Sequence, residues 1–198
     1  MKDTLEEAEM DAEEFVRRIA EGEKQFVDLE LSDAALPGLN LRQVCLRGAK
    51  LSRLDLRGAD LTLADLESSC LVQANLRGAH LFGVNLARAR LAGVVLSGAS
   101  LHGARGPGAD LSGVQLRAVH LTRAEFRGAI FRGADLQGAN LSLADLRGAD
   151  LRLANLVEAI LRGADFRGAR MQGARLPEGF TSPGVIGVYY PGKKVSHP

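Results

Sequence analysis

Residues 134–156 read ADLQGANLSLADLRGADLRLANL, in which Ala, Asp or Asn, and Leu are followed by two variable residues. The pattern returns every five residues, and the phase of its Leu extends in both directions from residue 26 to residue 176. Of the 31 positions in this phase, which we call centres, 30 are large and apolar, and Gly106 is the exception. The position two residues before each centre is Ala in 21 units and Val in five. No insertion breaks the period, so one structural unit builds most of the chain.

The five-residue period excludes an α-helix and predicts an all-β solenoid. In a helix each residue advances by about 100°, so the centres would be scattered around the whole circumference. In an extended chain, residues two apart share a face, so the Ala and the Leu of one unit point inward together. The remaining residues must turn the chain, and Gly follows the centre by two residues in 17 of the 31 units, where positive φ is needed. Such coils can stack about 4.8 Å apart around an apolar axis.

Residues 1–25 are acidic, with a net charge of −5, and are predicted to form a short amphipathic helix. Thr4 and Glu7 fit a capping box at its start, and Gly22 fits its end. The apolar stripe of this helix comprises Leu5, Ala8, Ala12, Phe15, Val16 and Ile19. Solenoids expose a core layer at each end, so we expect the helix to cover the first coil, with partner binding as the alternative.

The repeat stops after residue 176, where Pro177, Pro183 and Gly184 interrupt the chain. A short strand-like run follows, consisting of Val185, Ile186, Val188, Tyr189 and Tyr190. This run is predicted to cover the last coil. Self-association of two copies into a homodimer through Tyr189 and Tyr190 is the alternative.

The tandem A(D/N)LXX units, such as Ala59-Asp60-Leu61 and Ala164-Asp165-Phe166, resemble the pentapeptide repeat family. The resemblance covers residues 26–176 and implies a right-handed quadrilateral β-helix with four pentapeptides in each coil. On that basis the 31 units make about 7.75 coils, a rod about 36 Å long. The predicted domains are a helical cap (residues 1–25), the β-helix (residues 26–176), and a carboxyl-terminal cap and tail (residues 177–198).

Composition limits the compartment that the chain can occupy. No apolar run is long enough to span a bilayer, and the amino terminus is acidic, unlike a secretory leader. We therefore expect a soluble, cytoplasmic chain without a membrane partner. The two cysteines, Cys45 and Cys70, each precede a centre and lie five units apart, which places them on different sides of the rod and disfavours a disulfide.

With four units per coil, residues twenty apart stack in columns on the outer surface. One face carries Arg and carboxylates side by side toward its carboxyl end, which predicts a charge ladder of solvated pairs, with electrostatic docking as the alternative. Another face is short of charge in its middle. Its candidate contact patch for a partner protein comprises His80, Phe82, His102, His120 and Thr122. Because His80 and His120 lie two coils apart, about 10 Å, they are too distant to ligate one metal ion.

Gly106 and Pro107 form the one defect in the repeat. Gly106 removes a core side chain, and Pro107 removes a backbone donor. We expect the local coil to lose packing and one hydrogen bond between coils, and to show a dent or an outward bulge. A tolerated lesion is the main interpretation, and a binding site is the alternative.

The sequence predicts a non-enzymatic rod that binds another protein, with no cofactor and no metal. The Asp residues recur with the fold beside Arg, and no nucleophile or phosphate-binding motif accompanies them. Some members of the family that this chain resembles imitate DNA and protect type II topoisomerases such as gyrase from quinolones, which is the alternative function. A net charge of +5 on residues 26–176 and the absence of register-breaking loops disfavour it. Direct nucleic-acid binding is disfavoured by the Asp between the Arg residues and by the shortage of exposed aromatic residues.

Overall fold

The computed structural model of the protein describes residues 10–180. These residues form one helix, α1 (Ala12–Ala20), followed by successive coils of a solenoid. Parallel bridges join residues twenty apart, from the pair 25 and 45 to the pair 155 and 175. Each side of a coil contributes a single bridging residue, so no longer strand forms within the described residues. The predicted capping box at Thr4 and Glu7 and the run from Val185 to Tyr190 lie outside them.

Helix α1 has defined signals at both ends. The Asp11 side chain accepts a hydrogen bond from the Glu14 N–H (2.8 Å), which is typical of an N-cap. At the other end Gly22 adopts a φ of 94°, its N–H donates to the Ile19 carbonyl, and the Glu23 N–H donates to the Arg18 carbonyl. These two bonds make a Schellman motif, so the predicted role of Gly22 as the helix terminator is confirmed.

The helix lies against the first coil through two residues one turn apart. Phe15 and Ile19 are buried, and the Phe15 ring meets the ring of Phe26, the first centre, edge-on at 4.8 Å. The Arg18 guanidinium lies over the same Phe26 ring, 5.4 Å from its centroid. Val16 was predicted to belong to the apolar stripe, but it is 36% exposed, because the narrow contact with the coil reaches only the Phe15–Ile19 side of the helix.

Four of the five backbone N–H groups in a unit bond to backbone carbonyls in a fixed pattern. In the unit centred on Leu141, the N–H groups of Leu141 and Leu143 donate to the next coil (2.8 and 2.9 Å). The N–H of Asn140 donates to the preceding coil (2.9 Å), and the N–H of Ala144 closes the turn on the Leu141 carbonyl (3.0 Å). The N–H of the residue after the centre takes no part in this backbone ladder.

The Asp and Asn of the repeat bind this fifth N–H group. All 13 Asp or Asn residues that precede a centre accept a hydrogen bond through Oδ1 from the backbone N–H two residues later. For example, Asn140 accepts from the Ser142 N–H at 3.0 Å. These Asx turns satisfy the donor that the ladder leaves over, which explains the preference for Asp and Asn in front of the centre.

Each turn requires positive φ two residues after the centre. All 17 Gly residues at this position have positive φ, so the predicted role of Gly at the corners is confirmed. Thirteen other residues adopt the same conformation there, among them Leu63 (φ 58°), Leu143 (φ 61°) and Leu153 (φ 61°). A left-handed conformation costs a residue with a Cβ about 1 kcal/mol, and the hydrogen bonds between coils impose it at every corner.

The core is a column of centres lined by small residues. The centres and the Ala or Val positions from residue 41 to residue 156 are almost fully buried. Ser69 takes the place of Ala in one unit and is also fully buried, with its Oγ donating to the Leu66 carbonyl at 2.7 Å. Ser69, the one polar residue at the Ala or Val positions between residues 41 and 156, is therefore hydrogen-bonded. No helix within residues 10–180 is long and apolar enough to cross a membrane.

The expected consequences of the Gly106–Pro107 defect are wrong. Arg105 bridges Asn85 below and Glu125 above, so the register continues through this coil without a bulge. Pro107 occupies the position after a centre, whose N–H makes no ladder bond in any coil, so no bond between coils is lost. The space left by Gly106 is filled by the ring of Phe126, the centre one coil later. A Cβ added to Gly106 would lie 2.2 Å from Phe126 Cε1.

We expect Gly106→Leu to destabilise the protein by about 1–3 kcal/mol, because the new side chain must displace the Phe126 ring. The φ of Gly106 is outside the left-handed region, so the loss would come from packing rather than backbone strain. The double variant Gly106→Leu/Phe126→Leu restores the Leu-on-Leu arrangement of Leu46 and Leu66 and should recover most of the loss. Urea unfolding of the wild type, Gly106→Leu, Phe126→Leu and the double variant measures this. A double variant no more stable than Gly106→Leu would show that the Phe126 ring does not compensate for the missing side chain of Gly106.

Candidate interaction surface

The twenty-residue register sorts the outward side chains onto four faces. We call the face with centres Leu61, Leu81, Leu101, Leu121 and Leu141 the neutral face; it comprises residues 60–63, 80–83, 100–103, 120–123 and 140–143. Asp60 is ion-paired with Arg42 at 3.0 Å, and Arg123 is the one other charged residue in these five segments. A surface with only these two charged residues therefore runs along five coils.

The predicted patch residues all lie on the neutral face. His80, Ser100 and His120 stack in one column, linked by successive parallel bridges. Phe82 stands in the adjacent column and stacks on the His102 ring, with centroids 5.5 Å apart and planes 9° apart. Thr122 follows one coil above His102 in that column and is half-buried. The structure places these five side chains on one surface, and their role in binding stays a prediction.

Sequence reasoning missed Leu63 as part of this surface. Leu63 is 47% exposed beside the 48% exposed Phe82, and its N–H donates to the Phe82 carbonyl at 2.8 Å. Its side chain leans over Gly83, where an added Cβ would lie 2.7 Å from Leu63 Cδ2. The available signal was a Leu at a corner position that Gly usually occupies, because there a large side chain has to point outward.

Exposed apolar side chains concentrate on this side of the rod. Eight large apolar residues are exposed within residues 10–180, and three of them, Leu63, Phe82 and Leu143, belong to the neutral face. Ile160, which is 52% exposed, continues the same column one coil beyond Asn140. Half of the exposed large apolar residues are therefore on one of four sides.

A neighbouring face carries the predicted charge ladder. Asp145 accepts hydrogen bonds from Arg147 (2.8 Å) and from Arg127 in the coil below (2.5 Å). Arg147 also lies 3.7 Å from Asp165, which pairs with Arg167 at 2.6 Å. The Arg147 and Arg127 guanidiniums and the Arg147 N–H together hold the pKa of the Asp145 carboxyl well below its usual range, against the opposing effect of partial burial. These five residues form one continuous network.

The cysteines and histidines that the structure describes are not grouped in a way that would hold a metal ion. Within residues 10–180 no group of three His, Cys, Asp or Glu side chains is arranged to do so. Cys45 and Cys70 are both half-buried and unpaired. Cys70 Sγ lies 3.4 Å from Ser52 Oγ. Burial raises the pKa of the Cys70 thiol, but the Ser52 hydroxyl, the Val72 N–H and the nearby Arg90 charge outweigh it and lower that pKa overall.

A family model for pentapeptide repeats matches the chain in eight copies, over residues 25–105 and 109–177. Among solved structures, QnrB1, a plasmid-mediated fluoroquinolone resistance protein, is 20% identical over 74% of this chain and 86% of its own, with a TM-score of 0.48. HetL, a pentapeptide repeat protein involved in heterocyst differentiation regulation in Nostoc sp. strain PCC 7120, is 28% identical over 87% of this chain and 100% of its own, with a TM-score of 0.29. No curated protein sequence matches the chain.

The charge ladder predicts a specific pH dependence of stability. The pKa of Asp145 is lower in the folded chain than in the unfolded chain, where the pKa of an Asp is about 3.9. Its contribution to stability is therefore complete above that value and is lost as the pH falls toward the folded pKa. Asp145→Asn should reduce the free energy of unfolding at pH 7 and flatten its decline below about pH 4.

Urea unfolding between pH 2 and pH 7 measures both effects. Glu158→Gln is the matched control, since Glu158 is exposed and makes no ion pair with any residue that the structure describes. A control variant that loses as much stability at pH 7 as Asp145→Asn would show that the ladder contributes nothing.

Proposed function

Because the chain belongs to the pentapeptide repeat family, we propose that it is a non-enzymatic rod that binds another protein through the neutral face. Members of the family fold as right-handed quadrilateral β-helices. For this chain we propose about 7.75 coils over residues 26–176, with residues 1–25 closing the amino-terminal end and residues 177–198 serving as carboxyl-terminal cap and tail. The bridges twenty residues apart and the contact between Phe15 and Phe26 support this arrangement.

The observation that carries the proposal is the distribution of charge and apolar surface around the rod. The other three faces carry ion pairs, such as Asp145 with Arg147 and Asp150 with Arg152, which a partner would have to desolvate. The neutral face presents Phe82 and Leu63 with hydroxyl and imidazole groups around them. Covering it removes apolar surface from water and buries little charge, namely Arg123 and Asp60 with its Arg42 partner. Aromatic anchors of this kind dominate protein interfaces.

The polar residues of the repeat also support a binding role rather than a catalytic one. Every Asp or Asn in front of a centre is held by the backbone N–H of its own turn, and several of the carboxylates are paired with Arg as well. A general acid or base needs a carboxyl group that is free to exchange a proton with a substrate near neutral pH. Arg147 and Arg152 instead lower the pKa of Asp145 and Asp150.

The alternative, a DNA mimic that protects gyrase, requires continuous columns of negative charge. The carboxylates of this rod alternate with Arg, as in the network from Arg127 to Arg167, and residues 26–176 carry a net charge of +5. A DNA-binding protein surface is positively charged, so these faces of mixed charge are not complementary to it. The neutral face is the better candidate for contact with a partner.

The neutral-face proposal predicts that Phe82→Arg abolishes binding of the partner. Tagged wild type captures its partner from a lysate of the native cells, and quantitative mass spectrometry compares the capture by each variant. We expect at least about a tenfold loss with Phe82→Arg, the effect of removing a central aromatic anchor and introducing a charge. Leu153→Arg is the matched control, because Leu153 is 60% exposed at a corner of a different face. Equal capture by Phe82→Arg and the wild type would overturn the proposal.

A gyrase supercoiling assay distinguishes the alternative function. With the charge distribution described above, we expect saturating amounts of the protein to leave the inhibition of gyrase by a quinolone unchanged. Protection that depends on protein concentration would replace the present proposal with the DNA-mimic function.

A further inference from the structure

The neutral face contains three backbone N–H groups that have no acceptor among residues 10–180. The N–H after a centre takes no part in the ladder, and an Asp or Asn before the centre binds it through an Asx turn. In three successive coils of this face the residue before the centre is neither Asp nor Asn, and no other acceptor within residues 10–180 replaces it. The unpaired groups are the N–H groups of Phe82, His102 and Thr122. We call these three groups the donor row.

The donor row is directed outward and is confined to these three coils. In an Asx turn the outward side chain accepts this N–H, so the N–H lies on the outer surface. Adjacent coils are about 4.8 Å apart, which makes the row about 10 Å long. On its amino-terminal side the Thr62 N–H is already bound to Asp60 at 2.9 Å. On its carboxyl-terminal side the Ser142 N–H is bound to Asn140 at 3.0 Å.

The side chains around the donor row can also donate hydrogen bonds, and none of them is a carboxylate. The row lies in segments 80–83, 100–103 and 120–123, which contain three imidazole and two hydroxyl groups. Arg123, the one charged residue in these segments, is exposed and makes no ion pair with any residue that the structure describes. Asp60, one coil below, is held by Arg42 at 3.0 Å. This part of the face therefore has vacant donors and an unpaired positive charge, but no negative charge.

A carboxylate fits this arrangement better than the other charged groups of proteins. An ionised carboxylate only accepts hydrogen bonds, and its bonds to backbone N–H groups are stronger than those between neutral groups. Lys and Arg side chains only donate, so a basic partner would leave the donor row unpaired and meet Arg123 with a like charge. Charge and hydrogen bonding thus both favour an acidic partner.

Exposed apolar side chains lie beside the donor row on this face. Unpaired N–H groups of the same kind also occur on other faces, for example at Ser97. On the neutral face they are combined with Phe82 and Leu63, which are 48% and 47% exposed. Three extended residues span about 10 Å, so a short peptide segment is long enough to cover the row and reach both apolar side chains.

We propose that the neutral face binds an acidic segment of its partner protein. This inference rests on the proposed function, since it names the chemistry of the partner that meets the same face. Asp or Glu carboxylates of the segment accept hydrogen bonds from the donor row, and one of them pairs with Arg123. A large apolar side chain of the segment packs against Phe82 and Leu63.

Selection of peptides on the full-length protein tests the chemistry of the partner. The probe is a phage-displayed library of short random peptides, and peptides that bind any other face are removed by prior absorption on the Phe82→Ala variant. We expect the retained peptides to be enriched in Asp and Glu and to contain a large apolar residue. Retained peptides without an excess of Asp and Glu would overturn the inference.

Thr122→Pro removes one group of the donor row and leaves the ladder intact. Pro37 and Pro107 occupy the equivalent position after a centre, so the fold accepts Pro there. We expect Thr122→Pro to weaken the binding of a selected acidic peptide about tenfold, measured by fluorescence polarisation, because a hydrogen bond to a charged group is lost. Ser97→Pro is the matched control, since it removes a hydroxyl and an unpaired N–H from another face and should bind as the wild type does. Equal affinities of the two variants would contradict the role of the donor row.

Amide chemical shifts of the wild type identify the donors without any variant. When the selected peptide is added, the amide proton resonances of Phe82, His102 and Thr122 should move downfield. Those of Thr62 and Ser142, which are already bonded in Asx turns, should move less. Resonances of the donor row that stay in place would overturn the inference even if the peptide binds.

Failure of the proposed function would give a different result. Peptides selected without prior absorption that bind Phe82→Ala as tightly as the wild type would show that the neutral face is not the binding surface. Peptides that lose at least about tenfold in affinity for Phe82→Ala but are not acidic would leave the neutral face as the binding surface and overturn only the acidic partner.

Discussion

The hydrogen bonds between residues twenty positions apart are the constraint on which the rest of this structure depends. They fix each coil over the next, for instance Leu141 over Leu121 and under Leu161, and they allow no insertion in 31 units. A shift by one residue would turn every Leu outward and every turn residue inward. The register therefore explains why corners tolerate Leu63 and Leu143 with positive φ. The ladder bonds on both sides of a corner outweigh a local cost of about 1 kcal/mol.

The same register shows why the architecture could be predicted from the sequence and some details could not. The period of five excludes a helix, and Gly at the corners identifies the turns, so the solenoid follows from spacing alone. Pro107 costs no hydrogen bond between coils because the N–H after a centre does not bond to another coil. The spacing of the repeat does not show which N–H groups make these bonds. The filling of Gly106 by Phe126 could have been found by reading every twentieth residue, because Phe replaces Leu in the same column one coil later. The exposure of Leu63 does not follow from the period, because the period identifies the corner but not the size of the side chain that points outward there.

Inward side chains form the core and outward side chains form the surface, and the Asp and Asn residues contribute both to the backbone structure and to the surface. Their Oδ1 atoms satisfy the backbone N–H that the ladder leaves over, and at Asp145 and Asp150 the same carboxylate also binds Arg. Structural hydrogen bonding thereby places carboxylates on the surface at regular intervals, and Arg neutralises them there. On the neutral face His80, Ser100 and His120 take the position of Asp or Asn and carry no paired Arg. At these three positions the surface therefore carries neither the Asx turn nor a carboxylate paired with Arg.

The two ends of the rod differ in the groups that they leave over, and this difference follows from the direction of the ladder. Each coil donates from its centres toward the carboxyl-terminal side, so the first coil presents mainly carbonyl oxygens and the last coil presents mainly N–H groups. A carbonyl oxygen has two lone pairs, and next to α1 the Arg42 carbonyl accepts a hydrogen bond from Lys24 Nζ at 3.1 Å. An N–H group has a single hydrogen to donate and is costly to leave dry. The amino-terminal end therefore combines acceptors with the apolar surface that α1 covers, whereas the last coil combines apolar surface with N–H groups that have no backbone partner among residues 10–180.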